Sequence, residues 1–258
     1  MSIRFETIGR AGVLTIDRQK AKNSIDLEAD QAFRALWPKI NAMQDIDAVI
    51  LTGAGEESFC AGADLVTFLP VLRGRSMNET DDGDFCGMTR QWPTTKPLIA
   101  AINGYALAGG LELALACDIR IAAEHATFGI PEVRWGVLAG AGGVTKLCRT
   151  VPQSLAMEMI TTGRAIDAQR ALQAGLVSSV VPKADLMATA LKLAETISAN
   201  SPVAVRASIH VARHTAGMEL GAALATERMA MRRVLLSNDF QEGISAFAEK
   251  RKPQFKGN

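Results

Sequence analysis

Apolar and polar positions along the first 125 residues follow the period of strands in several segments and of a helix in one. Alternation over residues 3–8 and 12–17 predicts two strands joined by a turn at Gly9 and Arg10. Three continuous apolar runs with β-branched members predict strands that are covered on both faces: residues 48–52, 98–102 and 119–123. Strands interleaved with helices indicate an α/β domain with some parallel pairing.

Helical periodicity appears first over about residues 27–43, where four large apolar residues recur on one face: Phe33, Leu36, Trp37 and Ile40. Beyond residue 150 the balance shifts further to helix. A segment over 167–174 is predicted to end at Gly175, and Ser201 with Pro202 is typical of a helix start. Residues 185–247 are therefore predicted to form a helical C-terminal region attached to the α/β body without a linker.

One segment lacks clear periodicity. Residues 73–96 are polar and irregular, and they include the acidic stretch 78–84. A long loop of this kind inside a compact domain is usually functional or mobile. For the acidic stretch, a solvated excursion on the surface is an equally good interpretation.

Composition excludes several classes of protein. Of 258 residues, 48% are apolar and 21% are charged, which is typical of a globular chain. Lys and Arg number 28 against 27 Asp and Glu, and aromatic residues are only 5%, so neither a basic surface nor a base-stacking platform is expected. We therefore expect no nucleic-acid partner. The longest apolar stretch, 98–117, is interrupted by Asn103 and Glu112, so no membrane span is expected.

The cysteines and histidines do not form a pattern that is typical of metal sites. The four cysteines are widely spaced, without a C-x-x-C pair, and are predicted to be reduced thiols in a cytoplasmic protein: Cys60, Cys86, Cys117 and Cys148. His210 and His214 are four residues apart and lack a third ligand, so they are expected at a surface or interface. The N-terminal residues predict no secretory signal. After the strand 48–52, Ser58 stands where a dinucleotide-binding fingerprint requires its third glycine, so a nicotinamide or flavin site is not expected.

Candidate chemistry is concentrated in residues 103–118. Glu112 lies inside an apolar run, where an unpaired carboxylate costs several kcal/mol or acquires a raised pKa. It either transfers protons or is satisfied by a backbone amide or an arginine. Gly109 and Gly110 open the predicted helix, and residues 61–64 (AGAD) form a second small-residue segment. Exposed backbone N–H groups at such places suit an oxyanion, although a plain turn would use the same glycines.

A second carboxylate follows 20 residues later. Glu132 comes directly after Pro131 and is predicted to begin a short helix or turn, where an acidic residue is favourable for structural reasons alone. Spacing in the sequence does not show whether Glu112 and Glu132 meet. Two small-residue backbone sites and a buried carboxylate together suggest carbonyl chemistry with stabilisation of an enolate.

Several motifs in order resemble the enoyl-CoA hydratase (crotonase) family over about residues 3–256. They are FCAGADL, KPLIAAINGYALAGGLELALACD, FGIPEVRWG, GAGG and SAFAEKRKPQF. The resemblance implies a spiral of ββα units over residues 1–195, which binds acyl-CoA. It also implies a helical oligomerisation region over 196–258 that builds trimers, often paired into hexamers.

The same resemblance implies roles for individual residues. The N–H groups of Ala63 and Gly109 would polarise the thioester carbonyl, and three residues would lie beside the bound CoA: Ala61, Asp64 and Leu65. Glu112 would activate the attacking water, and Glu132 would protonate the α-carbon. Gly140 would help to place the water, and Lys250 would approach the CoA phosphates. No separate cofactor and no metal are implied, because CoA is part of the substrate.

The activity that this resemblance implies is hydration of a 2-enoyl-CoA to a 3-hydroxyacyl-CoA. A Δ3,Δ2-enoyl-CoA isomerase or a lyase for a specialised acyl-CoA is the alternative within the family, and a non-catalytic assembly or RNA-binding module is the alternative outside it. Three positions depart from the common family pattern: Ala139 for proline, 144–146 (VTK) for Thr-x-Arg, and 22–25 (KNSI) near the first helix. They leave the identity of the substrate open.

Overall fold

A computed structural model describes residues 2–68, 70–71, 73–74 and 84–258 of the chain. Its strands are β1 (Ile3–Ile8), β2 (Ala11–Ile16), β3 (Ala48–Gly53), β4 (Ser58–Cys60), β5 (Leu98–Ile102), β6 (Tyr105–Leu107), β7 (Ile119–Ala123), β8 (Thr127–Gly129), β9 (Ile166–Asp167) and β10 (Ser179–Val181). The long strands fall where the apolar runs predicted them. Sequence patterns missed the short strands, because three residues do not establish a period of two.

The fully described helices are α1 (Leu27–Ala42), α2 (Gly109–Ala116), α3 (Gly143–Thr150), α4 (Gln153–Thr162), α5 (Ala168–Gln173), α6 (Leu186–Ser198), α7 (Pro202–Thr215), α8 (Leu220–Leu235) and α9 (Asn238–Ala248). Three short 3-10 helices occupy Gln19–Ala21, Pro131–Trp135 and Lys183–Asp185. The predicted caps are confirmed. Ser201 accepts a hydrogen bond from Ala204 N at 3.2 Å, and Gly175, with φ of +74°, follows α5 in the left-handed region.

Two sheets build the body of the molecule. The larger has the order β1-β2-β3-β5-β7-β10 and is parallel except for the β1–β2 hairpin. The smaller has the order β4-β6-β8-β9 and is parallel up to β8. Each of β4, β6 and β8 follows a strand of the large sheet after a few residues, so the chain alternates between the two sheets. The expected α/β class with parallel pairing is confirmed.

The core lies on both faces of the large sheet. Leu14, Leu51 and Ala100 face the smaller sheet and α1, whereas Ile50 and Ile99 face α6. Helix α6 buries Leu186, Ala190 and Ala194, three positions at helical spacing. Because α6 runs across residue 195, the boundary predicted there lies inside a helix that packs on the body, and a division at that point stays a prediction.

Lys96 and Arg213 fix the ends of two helices to the body. The buried Lys96 ammonium donates to Ile40 O at 2.8 Å and to Met43 O at 2.9 Å, so it caps the C-terminus of α1. Arg213 in the last turn of α7 pairs with Asp118 at 2.5 Å. The helical region predicted from residue 185 onward is present, and α7 is bound to the body through this ion pair.

The irregular segment before β5 is packed more closely than its composition suggested. Residues 84–89 are buried, so a solvated excursion is the wrong description for Asp84, the one residue of the acidic stretch that the structure describes. Asp84 accepts hydrogen bonds from Thr89 N at 2.8 Å and Arg90 N at 3.0 Å, and Asp30 of α1 accepts one from Cys86 N at 2.7 Å. Buried acceptors for backbone N–H groups hold this segment in place. The remaining acidic residues, 78–83, lie outside the described residues.

Candidate active site

Two chain segments cross closely at the carboxyl ends of β4 and β6, which are parallel neighbours. A Cβ at Gly110 would lie 1.9 Å from Cys60 O, and one at Gly62 would lie 2.7 Å from the Ala108 Cβ. Gly62 also has φ of +101°, which disfavours other residues. Glycine is therefore required on both segments for the AGAD turn to lie against the start of α2.

The crossing brings two backbone N–H groups to one place. The N–H groups of Ala63 and Gly109 donate to no other residue that the structure describes. A Cβ at Gly109 would lie 3.3 Å from Ala63 N, so both donors border the same small space. Ala108, with φ of +52° and ψ of −128°, makes the tight turn that starts α2. Two unpaired donors at the positive end of a helix can hold an oxygen that carries negative charge.

Phe85 forms an apolar wall next to Gly109. A Cβ at Gly109 would lie 2.8 Å from Phe85 Cε1, so this ring requires glycine there. Phe68 meets Phe85 edge to face with ring centroids 5.5 Å apart. Neither aromatic residue was singled out from the sequence, because Phe85 reaches the site only through the folded segment 84–89.

Asp64 stabilises the AGAD turn. Its Oδ1 accepts hydrogen bonds from Val66 N at 3.1 Å and Thr67 N at 3.2 Å, and Arg18 approaches its Oδ2 at 3.5 Å. Burial opposes the charge of Asp64, but these N–H groups and Arg18 outweigh it and lower its pKa. Ala61 is half-buried and Leu65 is half-exposed on either side of this turn.

Glu112 is buried in the first turn of α2, with 5% of its surface exposed. Its Oε1 accepts a hydrogen bond of 2.9 Å from Gly143 N at the start of α3. Burial raises the pKa of Glu112, although the N–H groups of Gly143 and Ala141 and the charge of Lys146 oppose that rise. Backbone amides thus satisfy the carboxylate, as the structural interpretation of Glu112 expected. Its raised pKa also agrees with the other interpretation, a role in proton transfer.

Glu132 lies in the 3-10 helix that follows β8, with Pro131 at its first position. Its Oε2 is buried and has no hydrogen-bond partner among the described residues. Burial, together with the charge of Glu112, raises the pKa of Glu132 to about 7. The charge of Glu112 therefore acts on Glu132, a relationship that sequence spacing did not show. They differ in environment, since amides hold Glu112 and nothing described holds Glu132 Oε2.

The remaining predicted residues are placed less centrally. Gly140 is exposed in the loop before α3, and its carbonyl accepts a hydrogen bond from Arg90 Nη2 at 2.9 Å. Lys250 is exposed after α9, with φ of +54°. Its ammonium takes no part in the contacts of the AGAD turn, Glu112 or Glu132 described above. Lys146, noted in the sequence only as a departure from the family pattern, has a charge that lowers the pKa of Glu112. No sequence signal indicated this influence, because it depends on how α3 packs.

Comparison with known proteins assigns the chain to a protein family. A sequence model described as enoyl-CoA hydratase/isomerase matches residues 8–258. The chain belongs to this family. It is 38% identical over 258 residues to the (E)-benzylidenesuccinyl-CoA hydratase of Thauera aromatica, covering 100% of both chains. It is also 38% identical to the short-chain-enoyl-CoA hydratase of Clostridium acetobutylicum, covering 97% of this chain and 96% of that protein.

Solved structures agree with the crotonase-type fold. The crystal structure of enoyl-CoA hydratase from Bacillus anthracis superposes with a TM-score of 0.90 at 36% identity, covering 100% of both chains. The fold expected from the resemblance is therefore confirmed, and the chain is an enzyme of the hydratase type.

Three features outside this site bear on other expectations. None of the helices in the described part of the chain is long and apolar enough to span a bilayer. The same residues include no group of three or more His, Cys, Asp or Glu placed to hold a metal ion. His210 and His214 stack on α7 with ring centroids 4.2 Å apart, and all four cysteines are free thiols.

Proposed function

We propose that this crotonase-type hydratase adds water across the 2,3 double bond of a 2-enoyl-CoA thioester, using two backbone N–H groups and two glutamates. The observation that carries the proposal is the difference between the environments of the two carboxyl groups. Glu112 is held by Gly143 N, whereas the buried Oε2 of Glu132 has no described partner. Two carboxyl groups in different environments can divide the roles of base and acid.

The thioester oxygen would lie between the N–H groups of Ala63 and Gly109. Addition of water to the conjugated thioester moves negative charge onto this oxygen. Preorganised donors stabilise such charge by about 3–4 kcal/mol each in a site from which water is excluded. Phe85 beside Gly109 and Phe68 packed on Phe85 are both buried, which supports exclusion of water there.

Two separate proton transfers would accompany the addition of water, one to Glu112 and one from Glu132. The Glu112 carboxylate accepts a proton from water as the water oxygen bonds to C3, and Gly140 helps to place that water. The electron pair of the double bond moves toward the thioester, and C2 takes a proton from the neutral carboxyl of Glu132. Glu132 suits this role, because a pKa of about 7 leaves it partly protonated near neutral pH. Exchange with solvent then restores both groups.

The AGAD turn and the C-terminus would hold the CoA part of the substrate. Ala61, Asp64 and Leu65 flank the first N–H donor and would lie along the CoA chain, while Lys250 would meet its phosphates. CoA enters and leaves as part of the substrate, so the proposal includes no separate cofactor. The four free thiols suit the reducing cytoplasm, where we place the enzyme.

A homotrimer, or a dimer of trimers, is the proposed assembly. Helix α8 has no buried residue, although Leu220, Leu224 and Met229 each expose half or more of their surface. Exposed apolar positions on an unpacked helix favour contact with another subunit. Light scattering coupled to size-exclusion chromatography would report the mass. A monomer at micromolar concentration would contradict this assembly.

The test of the chemistry uses loss of the conjugated enoyl-thioester absorbance of crotonyl-CoA. We expect turnover by the wild type and a loss of kcat of about 10²-fold or more in Glu112→Gln and Glu132→Gln. Glu124→Gln, an exposed carboxylate after β7, is the matched control. Unchanged turnover in either of the first two variants would contradict the proposed roles. Conversion of a 3-enoyl-CoA without hydration would favour the isomerase alternative.

A further inference from the structure

The side chains of Lys146 and Glu112 both lie against the N-terminal end of α3. Glu112 Oε1 accepts from Gly143 N in the first turn of that helix. Lys146 is three residues farther along, and residues i and i+3 of a helix are neighbours on one face. Lys146 therefore lies about one helical turn C-terminal to Gly143, whose N–H holds the Glu112 carboxylate.

The side chain of Lys146 also turns back toward the start of the helix. A Cβ at Gly142 would lie 3.4 Å from Lys146 Cε and 3.6 Å from its Cδ, so the aliphatic stem lies over this glycine. Long side chains in helices commonly point toward the N-terminus in this way. The stem thus directs the ammonium toward the end of α3 at which Glu112 is bound.

The ammonium of Lys146 pairs with no carboxylate among the residues that the structure describes. It makes a cation–π contact with Trp92, with Nζ 5.7 Å from the centre of the ring. Burial lowers the pKa of Lys146, while three nearby groups oppose that change: Cys117, Asp84 and Glu112. A half-buried cation that pairs with no carboxylate acts on the charges around it, since little water screens it.

We propose that Lys146 is a positioning residue for Glu112, whose ammonium stabilises the carboxylate form of Glu112 and keeps it ready to accept a proton from water. This inference rests on the proposed role of Glu112 as base. It goes beyond that role, because it assigns part of the control of Glu112 to a side chain in which this chain departs from the Thr-x-Arg pattern.

Other charged groups also act on these side chains, and their effects must be distinguished from that of Lys146. Arg90, on the segment before β5, lowers the pKa of Glu112 as Lys146 does. Glu132, in the 3-10 helix, has a pKa that the charge of Glu112 raises. Arg120 at β7 faces Lys146 and lowers its pKa. Arg90 also donates to Gly140 O, so its removal would disturb the loop. Lys146 is therefore the better position at which to change charge alone.

The variants are Lys146→Met, Lys146→Gln and Lys146→Arg. Met keeps most of the stem without the charge, Gln keeps a polar end, and Arg restores the cation. Arg149→Met is the matched control, because it removes one positive charge from an exposed position of the same helix. Circular dichroism and thermal melting establish that each variant is folded.

The first measurement is the pH profile of kcat for hydration of crotonyl-CoA. We expect the acid limb to move upward by about 0.5–1 pH unit in Lys146→Met and Lys146→Gln, since an opposite charge nearby is lost. The rate should fall about 3–10-fold on that limb and less than 2-fold on the plateau. Lys146→Arg should restore the wild-type midpoint, and Arg149→Met should keep it. An equal fall at every pH, without a shift, would show a structural role and overturn the proposal.

The second measurement does not depend on turnover. Infrared difference titration of the protein against Glu112→Gln reports protonation of the Glu112 carboxyl directly. We expect the same upward shift of its midpoint in Lys146→Met and Lys146→Gln. An unchanged midpoint in both variants, or an equal shift in Arg149→Met, would overturn the proposal. A shifted midpoint in these variants, together with a wild-type protein that does not hydrate enoyl-CoA, would support the electrostatic link and locate the failure in the proposed reaction.

Discussion

The backbone N–H of Gly143 donates to Glu112 Oε1 at 2.9 Å, and the same glycine leaves no room for a side chain beside that oxygen. A Cβ at position 143 would lie 2.8 Å from Glu112 Oε1 and 2.7 Å from the Ala139 Cβ. The start of α3 therefore supplies the donor, and the absence of a Cβ lets the carboxylate reach it. The acid–base chemistry proposed above depends on this contact between two segments 31 residues apart.

Gly143→Ala should lower both the catalytic rate and the stability of the fold. The methyl group would displace the Glu112 carboxylate, so we expect kcat to fall about 10²-fold, as for loss of a general base. Crowding should cost about 1–3 kcal/mol of unfolding free energy. Crotonyl-CoA kinetics and urea denaturation measure the two effects. Gly217→Ala, at which a Cβ meets no atom within 4 Å, is the control, and a similar loss of kcat in both variants would contradict the explanation.

Gly110→Ala should prevent the crossing of the AGAD turn and α2. Its Cβ would lie 1.9 Å from a backbone oxygen, Cys60 O, which has no flexible end to move aside. We expect destabilisation of about 3 kcal/mol or more, well above the usual cost of a single substitution. The midpoint of urea unfolding, followed by circular dichroism, tests this. A variant as stable as the wild type would show that the two segments can separate without cost.

Arg213→Met should loosen α7 from the body. The guanidinium side chain is 5% exposed, pairs with Asp118 and donates to Thr94 O at 2.6 Å. Removing one partner of a buried pair leaves the other charge uncompensated, which costs about 3–5 kcal/mol. Lys192→Met breaks an exposed pair with Glu195 and should change stability by less than about 1 kcal/mol. Equal effects in the two variants would contradict this difference.

The alkaline limb of the activity profile should lie near pH 7. The neutral carboxyl of Glu132 is the proposed proton donor, and it is lost as the pH rises through its pKa of about 7. We therefore expect kcat for hydration to decline above that pH. A profile that stays flat from pH 6 to pH 9 would exclude Glu132 as the acid. Because the two carboxyls interact, the measured midpoints belong to the pair.

Stability should show the same group with a defined sign. The folded state binds the Glu132 proton more tightly than the unfolded state, since its pKa rises from 4.5 to about 7. The stability contributed by that proton is full below pH 4.5 and is lost as the pH rises through about 7. The free energy of unfolding of Glu132→Gln, taken relative to that of the wild type, should thus increase from pH 5 to pH 8. Denaturant titrations at both pH values check this, and a relative loss at pH 8 would contradict it.

Local features of the sequence determined the elements that have long or distinctive patterns. The apolar runs located β3, β5 and β7, and the spacing of Phe33, Trp37 and Ile40 located α1. Ser201 and Gly175 marked helix ends, because capping depends on neighbouring residues alone. A single carboxylate, Glu112, stands within an apolar run, and this local pattern was enough to indicate that it is buried.

Only the tertiary structure decided which of these residues act together. Glu112 meets Gly143 because α2 packs against α3, and its charge raises the pKa of Glu132 in the 3-10 helix. No local pattern encodes that packing. Phe85 reaches Gly109 for the same reason, although its segment looked like a polar loop. The short strands β4 and β6 gain their hydrogen bonds from each other, and their parallel pairing brings Ala63 to Gly109. Sequence therefore determined the candidate groups, and non-local contacts, which depend on the path of the whole chain, determined the site.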